Sequence, residues 1–193
     1  MAEDAGQGTG WTPGSLPEVP GTAEWARMRE RKNANSRAHL VDYIQSDGAR
    51  GYFRELPAEN GPGAVVHLVL RTVGRTTGRP YLTPLIYAPW ADECLVVASK
   101  SGHPKHPAWY LNLTARPEVE WQVRDRRFRG TWRVAEGEER TAMWEFLCAY
   151  VKIFPRYQAR TSRLLPIVVL TPSMRIEERW TVPEYAYVGL GAD

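Results

Sequence analysis

Between Ala64 and Val134 the chain places five short β-prone runs almost end to end, with room for only one brief helix among them. Parallel strands need crossovers of a dozen residues or more, usually helical, so this spacing excludes a doubly wound α/β fold and demands antiparallel neighbours. The runs are AVVHLVLR at Ala64–Arg71, YLTPLIY at Tyr81–Tyr87 and ECLVVAS at Glu93–Ser99, then two that alternate cleanly. In the fourth, Val119, Trp121 and Val123 face one way and Glu118, Glu120 and Gln122 the other. In the fifth, Phe128, Trp132 and Val134 oppose Arg127, Arg129 and Arg133. A turn at Arg124-Asp125-Arg126 joins them as a hairpin, and the arginines are expected on an exposed sheet face. PIVVL at Pro166–Leu170 supplies a sixth, core strand. About six strands without a βαβ rhythm predict a mainly β (α+β) fold: a closed antiparallel barrel with flanking helices.

The helices are read from period and punctuation. Thr22 can cap a helical segment that runs to Ile44, either one surface helix or two helices with a break at Asn33–Ser36. Pro107 opens a short helix through Ala115. Gly137–Phe154 is amphipathic, with Met143, Leu147, Tyr150 and Phe154 on one stripe. Residues 1–21, rich in Gly, Pro, Thr and Ser, are expected to be a flexible tail. The expected organisation is therefore that tail, a helical segment and loop over 22–63, the barrel over 64–172, and a C-terminal extension over 173–193.

With 193 residues, 43% of them hydrophobic, the chain can bury one real core. A net charge of +3 with scattered basic residues argues against nucleic-acid binding. Cys94 and Cys148 lie among apolar neighbours and read as reduced thiols in a cytoplasmic protein. No apolar run approaches membrane-spanning length. His103 and His106 form an H-x-x-H, but no third ligand accompanies them, so no metal is expected. His67, in mid-strand, reads as a satisfied core histidine.

The stretch SKSGHPKHPAWYLNL, Ser99–Leu113, leaves a strand, crosses a Gly-containing loop and enters a Pro-initiated helix. Free amides at a helix start, Lys100 and Lys105, and the Ser99 and Ser101 hydroxyls suit an anion. Arg75 and Arg79 lie on the other polar loop. A solvated basic loop is an equally fair reading of this stretch taken alone.

The segments TVGRTTGRPYLTPLIY, VVASKSGHPKHPAWYLNLTARPEVEWQV and YQARTSRLLPIVVLTP occur in order across Leu68–Pro172. Together they resemble the deazaflavin-dependent nitroreductase family, which uses coenzyme F(420). The resemblance implies a split β-barrel of the flavin-reductase, FMN-binding type. It also implies a reductase passing hydride to a quinone, enone or nitroaromatic, with secondary metabolites among the candidates.

By the resemblance, Ser99 and Lys100 lie at the cofactor's polar side chain, and Lys105, Pro107, Ala108 and Trp109 cover it. Arg75 falls in the phosphate and tail region, with Arg79 nearby. Thr76 stands where a basic residue is common, and Tyr81 at a position often basic. Pro84 and Leu85 match the strand that supports the ring. Tyr157 matches a tyrosine that places or protonates substrate, with Ser99 a second candidate for that role. Phe154 and Val151 replace two further tyrosines, which implies a more apolar substrate pocket.

Two rivals share the barrel: an FMN-dependent reductase or oxidase, and a non-catalytic deazaflavin-binding protein. Split barrels commonly dimerise, so a homodimer is open, as is peripheral contact of the N-terminal helix with a membrane surface.

Overall fold

The computed structural model describes residues 36–55 and 63–183. Expectations for the tail over 1–21, the start of the helical segment, the loop over 59–62 and the last ten residues fall outside these.

In chain order the elements are α1 (Ser36–Gln45), β1 (Phe53–Glu55), β2 (Ala64–Val73), β3 (Pro80–Trp90), β4 (Glu93–Val97), a tight turn over Lys100–Gly102, α2 (Ala108–Leu113), β5 (Glu118–Val123), β6 (Arg126–Val134), α3 (Gly137–Tyr150), α4 (Phe154–Gln158) and β7 (Ile167–Ile176). All described strand pairings are antiparallel, in the order β1-β2-β3-β4-β7-β6-β5. A further pairing of β2 with β5, Val69 opposite Gln122, closes β2–β7 into a barrel. The expected barrel is present. The seventh strand, β1, is a three-residue edge segment too short to stand out by alternation.

Two cores flank the sheet. Leu68, Leu70, Val96, Trp121, Phe128 and Leu170 fill the barrel, and α1 adds Leu40 and Tyr43 to it. On the outer face α3 and α4 bring Met143, Leu147, Ile153 and Phe154 against Leu95, Val97, Ile167 and Val169. β4 and the first half of β7, Ile167–Leu170, are buried on both faces, which is why they read as unbroken apolar runs.

Four local expectations need correction. The β5–β6 turn has only two residues, Arg124 and Asp125, because Val123 pairs directly with Arg126. On the face expected to be exposed, Gln122 and Arg127 are buried, at 0% and 5% exposure. The turn after α1 covers them: Gln122 Nε2 donates to Asp47 Oδ1 at 3.3 Å, and Arg127 pairs with the same carboxylate. Arg129 and Arg133 do face solvent, bound to Glu120 and Glu139. β7 continues beyond Pro172, since its polar second half pairs with β6 through a bulge at Arg129/Gly130. A Cβ on Gly130 would sit 1.9 Å from Thr171 O, so only glycine lets the strands meet there. Finally, the long helix ends at Tyr150. Val151 is extended (φ −128°, ψ 97°), and α4 starts afresh at Phe154 with Pro155 in its first turn.

Candidate active site

β2 and β3 are joined by a six-residue loop, with Val73 paired to Pro80. Gly74 N–H donates to Arg79 O at 2.8 Å and Gly78 N–H to Gly74 O at 2.9 Å, folding the loop back on itself. A Cβ on Gly74 would come within 2.4 Å of Thr77 Oγ1 and 2.6 Å of the Tyr81 ring. Arg75, Thr76 and Arg79 are exposed on this loop. It is stitched to α2 by Asn112, whose Oδ1 accepts from the Arg75 backbone at 3.1 Å and from the Arg75 guanidinium at 3.4 Å. Asn112 is itself buried. A half-polar AWYLNL helix therefore carries one asparagine whose task is to fix the neighbouring loop.

The second loop begins where β4 ends. Lys100, Ser101 and Gly102 have φ of 45°, 55° and 82°, three consecutive left-handed residues. Each non-glycine residue there costs about 1–2 kcal/mol, so surrounding contacts must hold the turn. Arg163 provides them. Its Nη2 donates to Ser99 O at 2.7 Å and its Nε to His103 O at 2.8 Å, while Nη1 lies 3.4 Å from His106 Nδ1. Arg160 reaches Ser101 O at 3.4 Å. Gln158 holds the supporting segment, donating to Arg163 O at 2.9 Å and accepting from Leu165 N–H at 3.0 Å.

These bonds alter one expectation. The loop's amides are largely spent inside the loop: Gly102 N–H donates to Ser99 O, His103 N–H to Lys100 O, and Lys105 N–H to His103 Nδ1. Helix α2, six residues long and opened by Pro107, has little dipole to offer. An anion at this end would have to be met by side chains rather than by the helix start. Ser99 and Lys100 are half-buried and Lys105 exposed; Pro107 and Trp109 are buried, and Ala108 half-buried. Among the described residues no carboxylate lies within ion-pair distance of Arg75 or Lys100. His103 and His106 are absorbed into the loop, and burial together with the Arg163 guanidinium lowers the pKa of His106.

β4 pairs with β3 only over Tyr87–Trp90. The other edge of β3 from Pro80 to Ile86 therefore has no strand partner among the described residues. Pro84 and Leu85, opposite Val69 and Leu68, stand half-buried on that open stretch. Tyr157 lies on α4 against the Lys100–Gly102 turn, and a Cβ on Gly102 would be 2.5 Å from Tyr157 O. The Tyr157 ring is half-buried, edge-on to Phe154, with the Arg160 guanidinium 5.8 Å from its centre. Val151 and Phe154 are packed in the outer core. Sequence reading missed Arg163, Asn112 and Gln158. A polar residue whose partners are distant main-chain atoms leaves no periodic or spacing signal.

An open strand edge flanked by two cationic loops suits a planar ligand with an anionic tail. Residues 36–172 match the F(420)H2-dependent quinone reductase family. An F(420)H2-dependent quinone reductase of Mycobacterium tuberculosis is 41% identical over 113 residues, covering 57% of this chain and 76% of its own. A second from that organism, described as putative, is 30% identical over 105 residues, 54% of this chain and 88% of its own. A solved F(420)H2-dependent reductase superposes with a TM-score of 0.50 at 34% identity, covering 54% of this chain and 92% of that one. A structure described as a domain-swapped dimer gives 0.53 at 28%, covering 77% and 98%. The chain thus belongs to the F(420)H2-dependent quinone reductase family, a mainly β split-barrel oxidoreductase whose hydride donor is the reduced deazaflavin coenzyme F(420).

Proposed function

We propose that this chain reduces a quinone-type acceptor, with the deazaflavin lying along the open edge of β3 and its anionic tail between the two basic loops. One observation carries the reading. Asn112 and Arg163 fix both loops to the same end of the barrel, so Arg75 and Arg79 can act with Ser99, Lys100 and Lys105 on one extended anion. Thr76 borders the same tail. Pro84 and Leu85 support the ring, and Pro107, Ala108 and Trp109 wall it from water.

When bound, the reduced deazaflavin supplies a two-electron hydride. The chain's own work is to orient the ring, exclude water and manage the proton. Tyr157, on the helix that seats the Lys100–Gly102 turn, is the candidate donor to a carbonyl oxygen of the acceptor. Ser99 is the second. The dimeric relative suggests a homodimer, which light scattering on the purified chain decides.

Fluorescence titration with F(420) and with FMN tests the cofactor reading, coupled to menadione turnover. Tighter F(420) binding and F(420)H2-dependent menadione reduction are expected. FMN binding as tight as F(420) binding overturns the reading in favour of a flavin reductase.

A further inference from the structure

Helix α2 turns three residues toward the barrel, Trp109, Asn112 and Leu113, spaced i, i+3 and i+4 on one face. Trp109 and Leu113 pack into the apolar core, whereas Asn112 is polar and only 6% exposed. A buried amide must be hydrogen-bonded to be tolerated. Asn112 Oδ1 accepts from the Arg75 backbone N–H at 3.1 Å and from Arg75 Nη1 at 3.4 Å, and Nδ2 donates to Thr72 Oγ1 at 3.5 Å. One side chain therefore holds the backbone and the guanidinium of Arg75 together, beside the end of β2 from which the Gly74–Arg79 loop departs.

The residue type at 112 is informative. Aspartate has nearly the same shape and would bind the same two N–H groups more strongly, because a charged acceptor makes the stronger bond. Elsewhere this chain uses that option: Arg71, Arg127, Arg129 and Arg133 each take a carboxylate. Rigidity alone would thus be served by aspartate. What an amide adds is neutrality. A carboxylate against the guanidinium would largely cancel its field on a third charge, while an amide leaves that field nearly whole. The Ser99–His106 loop is held in the same way, by Arg163 donating to the carbonyls of Ser99 and His103.

We propose that Asn112 is a positioning residue that aims Arg75 at the anionic tail of the coenzyme and keeps its charge undiminished. The proposal rests on the placement of that tail between the two basic loops. Residue 112 then sets the net charge that the Gly74–Arg79 loop presents, and it acts through Arg75 rather than on the coenzyme itself.

Asn112→Asp in the full chain is the test, read by fluorescence titration with F(420) and by amide exchange of the Gly74–Arg79 loop. Thr72 Oγ1 can donate to the new carboxylate as readily as it accepts from the amide, so the fold should persist. We expect an F(420) Kd raised about tenfold or more, the loss of one charge-assisted contact, with a shallower salt dependence and loop exchange no faster than in wild type. A merely structural role would couple weaker binding to a looser loop, as Asn112→Leu should show. In an Arg75→Gln background Asn112→Asp should cost little further affinity, because the charge it cancels is already gone. Wild-type affinity in Asn112→Asp overturns the proposal and leaves the coenzyme placement intact, as does a full cost that persists without Arg75. Should Asn112→Asp not fold, the salt dependence of F(420) binding in wild type and Arg75→Gln decides: a shallower slope in Arg75→Gln supports the proposal, and equal slopes overturn it. Wild-type affinity in Arg75→Gln overturns the proposal and the tail placement together.

Discussion

The two ends of this barrel solve opposite problems. At the end carrying the Ser99–His106 and Gly74–Arg79 loops, cations face outward and the polar bonding runs through main chain: Arg163 to Ser99 O and His103 O, Asn112 to the Arg75 amide. At the other end Asp47 pairs with both Arg127 and Arg179 over a buried aromatic core. The basic loops are thus held by bonds from Arg163 and Asn112 to main-chain atoms, not by carboxylates. An end that closes the barrel pairs its charges, because a buried unpaired charge costs several kcal/mol.

The glycines sharpen this contrast most. Gly102 (φ 82°) lies against Tyr157 O, and Gly48 (φ 77°) would place a Cβ 2.3 Å from Arg124 Cα. Alanine at either site combines a left-handed penalty with a clash against backbone, roughly 2–4 kcal/mol. Both variants should melt several degrees lower. Only Gly102→Ala should also abolish measurable F(420) binding. If Gly48→Ala weakens the coenzyme as much, the ends are not independent.

Acid tests the α1 side of the molecule. His39 and His67 meet edge-on, ring centres 4.7 Å apart, and both are buried. Burial drops the His39 pKa to about 4, against the partly offsetting bond between Nε2 and Gly51 O, and holds His67 well below 6.5. Both are therefore neutral in the folded chain and take up protons on unfolding. Their contribution is full above about pH 6.5 and is lost as pH falls toward 4, roughly 3 kcal/mol for His39 alone. Urea midpoints at pH 7.5 and 5.0 read this directly. His39→Gln should flatten the dependence, and a wild-type midpoint equal at both pH values would rule the histidines out.

Next in size comes the division of labour at the coenzyme end. With the coenzyme placed as proposed, Lys100→Ala should raise the F(420) Kd about tenfold to a hundredfold with kcat nearly unchanged, since a tail contact acts alike on ground and transition states. Arg163→Met should raise the Kd similarly without ever touching the coenzyme, because the left-handed turn loses its clamp. Loop-amide hydrogen exchange separates the two: faster in Arg163→Met, unchanged in Lys100→Ala. Identical exchange in both variants would mean that Arg163 is not a positioning residue.

Legibility in the sequence follows the range of each interaction. The β5–β6 hairpin showed itself because alternation is local, and the closed barrel followed from strand spacing without crossovers. Gln122 and Arg127 misled for the same reason: alternation reports the face of a strand, not the α1 turn lying over that face. The polar half of β7 was hidden because its pairing with Arg127–Thr131 needs a bulge and a glycine, Gly130, far upstream in the chain. The Ser99–Leu113 motif was legible as a unit, whereas the Arg163 clamp, 64 residues from Ser99, was not.

The smallest expected effect concerns Tyr157 and asks whether the coenzyme end also handles the proton. Val151 and Phe154, which stand where the resemblance has tyrosines, are buried in the outer core and have no hydroxyl to offer. Tyr157 is half-buried on α4, whose backbone rests on Gly102, so its phenol is carried by the element that seats the coenzyme loop. A donor there would stabilise charge on a quinone oxygen only as hydride arrives, a transition-state contact that moves kcat and leaves coenzyme affinity alone. Tyr157→Phe keeps the edge-on packing against Phe154 and removes only the hydroxyl. It should lower kcat for menadione by about tenfold with an unchanged F(420) Kd. Ser99→Ala then discriminates the second candidate: its backbone carbonyl still accepts from Arg163, so only a hydroxyl role would be lost. Full wild-type turnover in Tyr157→Phe with a slow Ser99→Ala moves the donor to Ser99; full turnover in both assigns the proton to solvent.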